Sequence, residues 1–221
     1  MSLGKTGFDL LQNFIDSDTA AAIIEGVDQS LLCAQGGGIR NADKKFNVVA
    51  TLASSDYLLA QASRYLSGSP FLVRAILFDK SFNNNWLVTW HQDKTVAVSS
   101  RFEKEGWGPW SFKDGVHHVQ PPLEVLESMI TFRIHLDDST CKNGCLKVMP
   151  NSHRLGLLSQ EDIYRHTAST KGEVIEAPAL SALVMRPHIL HASSKAEEPS
   201  RRRVLHLEYS SYLLPEGINW A

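Results

Sequence analysis

The sequence predicts a mainly β fold with flanking α-helices, a two-sheet jelly roll, and three observations carry that expectation. From Phe71 onward the chain breaks into about eight short segments of strand character, a number that suits two antiparallel sheets better than a doubly wound parallel one. Helical periodicity is concentrated in the first third. No internal repeat, low-complexity tract or linker divides the 221 residues, so they form one domain, 1–221, with helical support over 1–68 and a jelly-roll core over about 70–212.

In chain order, Asp18 to Leu32 places Ala20, Ile23, Ile24, Val27 and Leu31 at helical spacing behind a Ser17 cap. Ser55 to Leu66 repeats the pattern with Leu58, Leu59, Ala62, Tyr65 and Leu66 before Gly68-Ser69-Pro70 ends it. The expected strands are Phe71 to Phe78, Trp86 to His91, Met129 to Leu136, Cys145 to Met149, Glu173 to Glu176, Leu180 to Met185, Ile189 to Ala192 and Arg202 to Tyr209. Asn143-Gly144 signals a hairpin, since both residues tolerate positive φ. The interval 94–120 is longer than idle connections usually are, and it holds Trp107 and Trp110 together with His117 and His118. It reads as a lid over a site, with an insertion packed on the barrel exterior as the alternative; its tryptophans read equally as cover for a substrate or as loop anchors, and its histidines as surface.

Composition excludes several classes. A net charge of −2 with both signs mixed announces no nucleic acid or anionic membrane as partner. No apolar run reaches the roughly 20 residues needed to cross a bilayer, and the N-terminus lacks the build of a signal peptide, so a cytoplasmic location is expected. Cys33, Cys141 and Cys145 are an odd, sparse set without CxxC spacing and read as reduced thiols.

The chemistry concentrates in His-x-Asp. Strand residues two apart share a face, so such a triplet on or just after a strand aims an imidazole and a carboxylate at one point. With a second histidine from a distant strand, the set leaves three positions of an octahedral Fe(II) open. Two triplets compete. His135-Leu136-Asp137 ends at a turn entrance with Asp138 and Ser139, where carboxylates are expected for capping alone, whereas His91-Gln92-Asp93 opens the long aromatic interval. Further on, Met185 to Ser194 carries His188 and His191, and a polar turn leads to Arg201-Arg202-Arg203. A histidine about ten residues before an arginine, on adjacent antiparallel strands, sets an imidazole at the metal and a guanidinium deeper inside, where its fork suits the far end of a dicarboxylate. Alternation puts Arg202, Val204, His206 and Glu208 on one face and the more apolar Arg203, Leu205, Leu207 and Tyr209 on the other, which makes Arg202 the inward candidate. Likewise Met129, Thr131, Arg133 and His135 share a polar face that would line a pocket inside a closed barrel. Arg133 there would favour an anionic or carbonyl-bearing substrate.

Trp90-His91-Gln92-Asp93, Leu136-Asp137-Asp138 through Asn143-Gly144-Cys145-Leu146, Pro150-Asn151-Ser152-His153-Arg154, and His191-Ala192-Ser193 with Arg202 run in this order over nearly the whole chain. In that joint pattern the sequence resembles the phytanoyl-CoA dioxygenase-like branch of the Fe(II)/2-oxoglutarate oxygenases. The resemblance implies a double-stranded β-helix, cupin-like, with Fe(II) held by His91, Asp93 and His191. It implies 2-oxoglutarate at Arg202 with Ser193 nearby and Lys80 or Asn85 as a further polar contact, and it removes His135 and Asp137 from the metal. The implied reaction is a dioxygenase reaction that consumes O₂, releases succinate and CO₂ and hydroxylates a C–H bond of a small molecule, with ascorbate supportive in vitro. Arg133 stands where many relatives carry an aromatic residue. The competing readings are a cupin-like hydrolase or isomerase on another metal, for which Arg202 has no task, and a non-catalytic binding module, which would predict a broken triad. Substrate identity and oligomeric state are not encoded legibly.

Overall fold

The computed structural model describes residues 3–30, 38–113, 115–198 and 200–221. Leu31, Leu32 and Cys33 lie outside the described residues. The helices are α1 (Leu3–Thr6), α2 (Ser17–Asp28), α3 (Ala42–Lys45), α4 (Asn47–Ala53), α5 (Asp56–Ser63), α6 (Leu123–Glu127) and α7 (Gln160–Ser169). The strands are β1 (Phe8–Leu11), β2 (Ile39–Arg40), β3 (Phe71–Lys80), β4 (Val88–His91), β5 (Val96–Val98), β6 (Trp110–Lys113), β7 (Val116–Val119), β8 (Met129–His135), β9 (Leu146–Val148), β10 (Glu173–Ile175), β11 (Ala182–Met185), β12 (His191–Ser193) and β13 (Arg202–Ser210). None of the described helices is long and apolar enough to cross a membrane.

All eight expected strands occur, with their ends shifted, and they form two antiparallel sheets. One has the order β1-β11-β8-β13-β3-β2 and the other β10-β9-β12-β4. The sheets remain open, so the fold is a two-sheet jelly roll and not the closed barrel expected around Arg133. Leu146, Val148 and Ile175 from the smaller sheet meet Leu183 and Met185 from the larger one, which seals one part of the space between them. The outward face of the larger sheet behaves as its alternation predicts: Phe132, Ile134, Leu205, Leu207 and Tyr209 pack against Ile23, Val27, Val49, Leu58 and Ala62 of the helices.

The two long helices begin one residue apart in logic. Ser55 caps α5, its Oγ accepting from Leu58 N at 3.2 Å, as expected. The cap of α2 is Asp16 instead of Ser17: its carboxylate accepts from Thr19 N at 2.6 Å, and Ser17 becomes the first helical residue. Past Ser63, Tyr65 and Leu66 both donate to the Ala62 carbonyl in a tightened turn, so the second helix stops short of the expected Leu66.

Two other expectations fail. Asn143-Gly144 does not close a hairpin, because β8 before it and β9 after it belong to different sheets. Only Gly144 takes a positive φ, +77°, and any side chain there would strike the Ser194 carbonyl and the Lys80 ammonium. The interval 94–120 is not a loose lid but a third sheet, β5-β7-β6. Its Val96, Val98, Val119 and Trp107 join Val125, Leu126 and Met129 in a separate core, with Phe102 edge-on to Trp107 and Trp110. Strands this short, broken by Gly106, Gly108 and Pro109, leave little period for sequence to show.

Candidate metal centre

His91 closes β4 and lies directly opposite His191 on β12 in the antiparallel register, so the two imidazoles meet across one strand gap with centroids 4.2 Å apart. Asp93, two residues on, is fixed beyond the strand end by its own N–H, which donates to the Pro187 carbonyl at 3.0 Å. Its Oδ1 is 3.6 Å from His91 Nε2 and its Oδ2 is 3.5 Å from His191 Nε2. Both histidines turn Nδ1 toward the carbonyl two residues earlier, Thr89 and Ile189, each at 2.9 Å. An Nδ1–H that donates there leaves the Nε2 lone pair aimed at the carboxylate. Two imidazole nitrogens and a carboxylate oxygen, with donor atoms all within 4.8 Å of one another, are a fitting set for a divalent transition metal.

Gln92, between the two donors, points the other way and is buried. Its amide donates to the Gly156 and His188 carbonyls at 2.8 and 2.7 Å and accepts from Leu158 N at 2.9 Å. It therefore ties the segment that carries His91 and Asp93 to two neighbouring loops. Nothing in the sequence reading gave Gln92 a task, although its place inside the triplet is a signal.

Electrostatics favour a neutral imidazole beside an ionised carboxylate. Burial pushes His191 down to about 3. Burial also opposes the charged form of His91, but the hydrogen bond and charge of Asp93 outweigh it and the net shift is upward. For Asp93 the two imidazoles overcome burial and hold the carboxyl well below the usual carboxylate range.

Beside this triad is a cavity of about 200 Å³ between the sheets, lined by polar groups such as Arg133, Arg202 and His206 and by apolar Ile76, Phe78 and Leu146. The three consecutive arginines separate as alternation requires. Arg201 pairs with Asp28 and Asp79, and Arg203 takes Asp137 in a fork with two contacts of 2.8 Å. Arg202 alone turns inward. It is 4% exposed, its Nη1 reaches Ser139 Oγ at 3.4 Å, and its Nε has no partner. Ser193 lies on the same wall: its Oγ donates to the Gly144 carbonyl at 2.8 Å and accepts from Lys80 Nζ at 3.2 Å. Lys80, paired in register with Arg202, also donates to the Ser194 carbonyl, and burial together with Arg202 and Arg133 pushes it down to about 8.

Arg133 also faces the cavity, its Nη1 3.1 Å from His206 Nδ1. From there contacts run to Glu208 at 2.9 Å and on to Arg74 at 3.1 Å. Asp93, His206 and Glu208 form a second close cluster, but both His206 nitrogens already have these partners, unlike the Nε2 atoms of His91 and His191. Alternation had placed His206 and Glu208 on this face without assigning them a role.

Other expected contributors lie elsewhere. The Asn85 amide is engaged on both ends by the Ala196 backbone, at 2.8 and 3.0 Å, and does not line the cavity. Trp107 and Trp110 belong to the core under the third sheet, not to the cavity wall. His135 is buried with neither ring nitrogen partnered, and burial pushes it down to about 3. His188 is buried beside His153, and His117 rests against Trp110 and Phe112. Cys145 is buried and Cys141 exposed, both free thiols.

The family model described as phytanoyl-CoA dioxygenase (PhyH) matches residues 5–204. Methylphosphonate hydroxylase of Gimesia maris is 33% identical over 105 residues, which is 46% of this chain and 40% of that protein. L-proline trans-4-hydroxylase of Streptomyces griseoviridis is 24% identical over 189 residues, 74% of this chain and 63% of that protein. The chain thus spans less than two thirds of the length of both curated relatives. Among solved structures, HygX from Streptomyces hygroscopicus with nickel and 2-oxoglutarate bound aligns with a TM-score of 0.70 at 13% identity, covering 97% of this chain and 86% of that one. EctD from S. alaskensis with bound Fe aligns with a TM-score of 0.70 at 18% identity, covering 95% and 74%. At such identities the likeness concerns the fold.

Proposed function

The chain belongs to the phytanoyl-CoA dioxygenase (PhyH) family, and from that premise we propose that it is a non-haem Fe(II)- and 2-oxoglutarate-dependent dioxygenase that hydroxylates a C–H bond of a small molecule. The observation that carries the reading is the convergence of His91 Nε2, His191 Nε2 and the Asp93 carboxylate beside a cavity that also receives an underused buried guanidinium. The two curated relatives are hydroxylases by name, and a solved neighbour holds 2-oxoglutarate, which supports the same class.

In this reading His91, Asp93 and His191 hold Fe(II), and the backbone carbonyls of Thr89 and Ile189 fix the imidazole tautomers that make them ligands. Arg202 receives the far carboxylate of 2-oxoglutarate, which supplies the partner its Nε lacks. Lys80 and Ser193 brace that end, the ammonium adding positive potential beside the guanidinium. Iron and 2-oxoglutarate supply the oxidising chemistry, in which O₂ is consumed, succinate and CO₂ leave and a C–H bond becomes C–OH. Ile76, Phe78, Val88 and Leu146 keep water from the reacting end of the cavity. Arg133 faces the substrate side.

The test is succinate formation from 2-oxoglutarate with added Fe(II) and ascorbate, comparing the parent with Asp93→Ala and Arg202→Ala. Metal binding is lost in the first and the 2-oxoglutarate requirement rises in the second. Unchanged turnover in either variant removes that residue from its role.

A further inference from the structure

A second cavity, of about 340 Å³, adjoins the metal pocket: Arg74 and Ile76 of β3 line both. Its walls are strongly cationic. Lys44 and Lys45 enter from α3, Lys113 from β6, and Arg40 and His118 from β2 and β7, and the described lining residues include no aspartate or glutamate. For a chain of net charge −2 this is a pronounced local excess. Some described surface cations are neutralised, as Arg101 is by Glu103, Lys142 by Glu198 and Arg165 by Glu161, whereas Lys5, Lys104, Lys171 and Lys195 are exposed without an ion pair but scattered; what sets the groove apart is that its cations converge on one concave space. Lys44, Lys45 and Lys113 are all exposed and have no ion pair within the described chain. Arg74 is different. One end of its guanidinium is held by Glu208 at the metal pocket and the other by the Thr95 carbonyl at 2.8 Å, so it is fixed in place on the border that the two spaces share. The far wall is the β6–β7 hairpin, the part of the interval 94–120 whose purpose the metal site leaves unexplained.

We propose that this groove binds a phosphate or phosphonate group of the primary substrate, whose reacting carbon extends past Arg74 into the metal pocket. Three ammonium groups, with no aspartate or glutamate side chain among the described lining residues, which also include Ala221, match a compact oxyanion of double charge better than a neutral or cationic group. A concave space of this size suits a small molecule and not a polymer tracking along the surface. The inference rests on the oxygenase reading for what happens beside Arg74, but not for the groove itself.

The test uses protein loaded with Mn(II) and 2-oxoglutarate and follows the ³¹P relaxation of added inorganic phosphate, which the paramagnetic ion accelerates when phosphate is held nearby. The expected result is saturable enhancement that weakens with salt and whose apparent Kd rises about tenfold or more in Lys44→Ala/Lys45→Ala/Lys113→Ala. Lys113→Glu alone, at an exposed site, is expected to move it in the same direction. Absence of saturable binding overturns the proposal, as does an affinity unchanged in these variants, which would place phosphate on the metal. Binding of 2-oxoglutarate to the Mn(II)-loaded parent is measured separately. Its failure overturns the oxygenase reading and leaves the groove standing if phosphate binding to the protein is still saturable and lysine-dependent.

Discussion

Replacing Arg202 by methionine should move ligand affinity and stability in opposite directions. The guanidinium is buried, yet among the described residues its one hydrogen bond is a 3.4 Å approach to Ser139 Oγ, and its Nε has no partner. A buried polar group left unsatisfied costs about 1–3 kcal/mol, so an apolar side chain of similar length leaves the ligand-free protein as stable as the parent or stabilises it by about that amount. With 2-oxoglutarate present the balance reverses. A forked pair of charge-assisted hydrogen bonds at about 1.5 kcal/mol or more each, about 3 kcal/mol together, corresponds to roughly a hundredfold loss of affinity. Urea denaturation without ligand reads the first quantity, and calorimetric titration of 2-oxoglutarate into Mn(II)-loaded protein reads the second. Arg203→Met is the contrast: it strips the Asp137 carboxylate of its fork and is expected to cost about 2 kcal/mol of stability. An Arg202→Met protein that is clearly destabilised but binds 2-oxoglutarate as the parent does would refute the reasoning and make Arg202 a structural residue.

Gln92→Leu removes three hydrogen bonds to backbone groups and should cost about 3 kcal/mol in denaturation, while weakening metal binding although Gln92 is not a ligand; unaltered metal affinity would confine it to packing. His135 stays neutral in the folded chain down to about pH 3, whereas the unfolded chain protonates it below about 6.5. In that window the unfolded state binds the extra proton, so stability falls on acidification, and His135→Phe should lose about 2 kcal/mol less than the parent between pH 7.5 and 5. Trp107→Ala should destabilise by about 3–5 kcal/mol through its place in the third-sheet core, with 2-oxoglutarate affinity retained.

What sequence made legible was periodic or local. Alternation in β13 separated Arg202 from Arg201 and Arg203, and alternation in β8 put Arg133 on the polar face and Phe132 and Ile134 under the helices. The triplet His91-Gln92-Asp93 placed two donors on one side because the strand period is two. The third sheet was not legible: its strands are three or four residues long, and its aromatic residues read equally well as cover for a ligand. Asn85 looked like a contact for a cosubstrate, and only the fold reveals that Ala196 occupies its amide. The basic groove was hidden for a related reason, since Lys44, Arg74 and Lys113 come from three separate stretches and ordinary net charge conceals them.

The pairing of His91 with His191 has a mechanical consequence. β4 is the outermost strand of its sheet among the described residues, four residues long, and its only strand neighbour there is β12. Any ion shared by the two imidazoles is a rivet between a marginal edge and the interior, so metal occupancy and the seating of that edge are one equilibrium. A chelator would then loosen more than chemistry: amide protons of Val88 to His91 should exchange faster, and an unclasped border strand becomes the place where a second molecule could anneal.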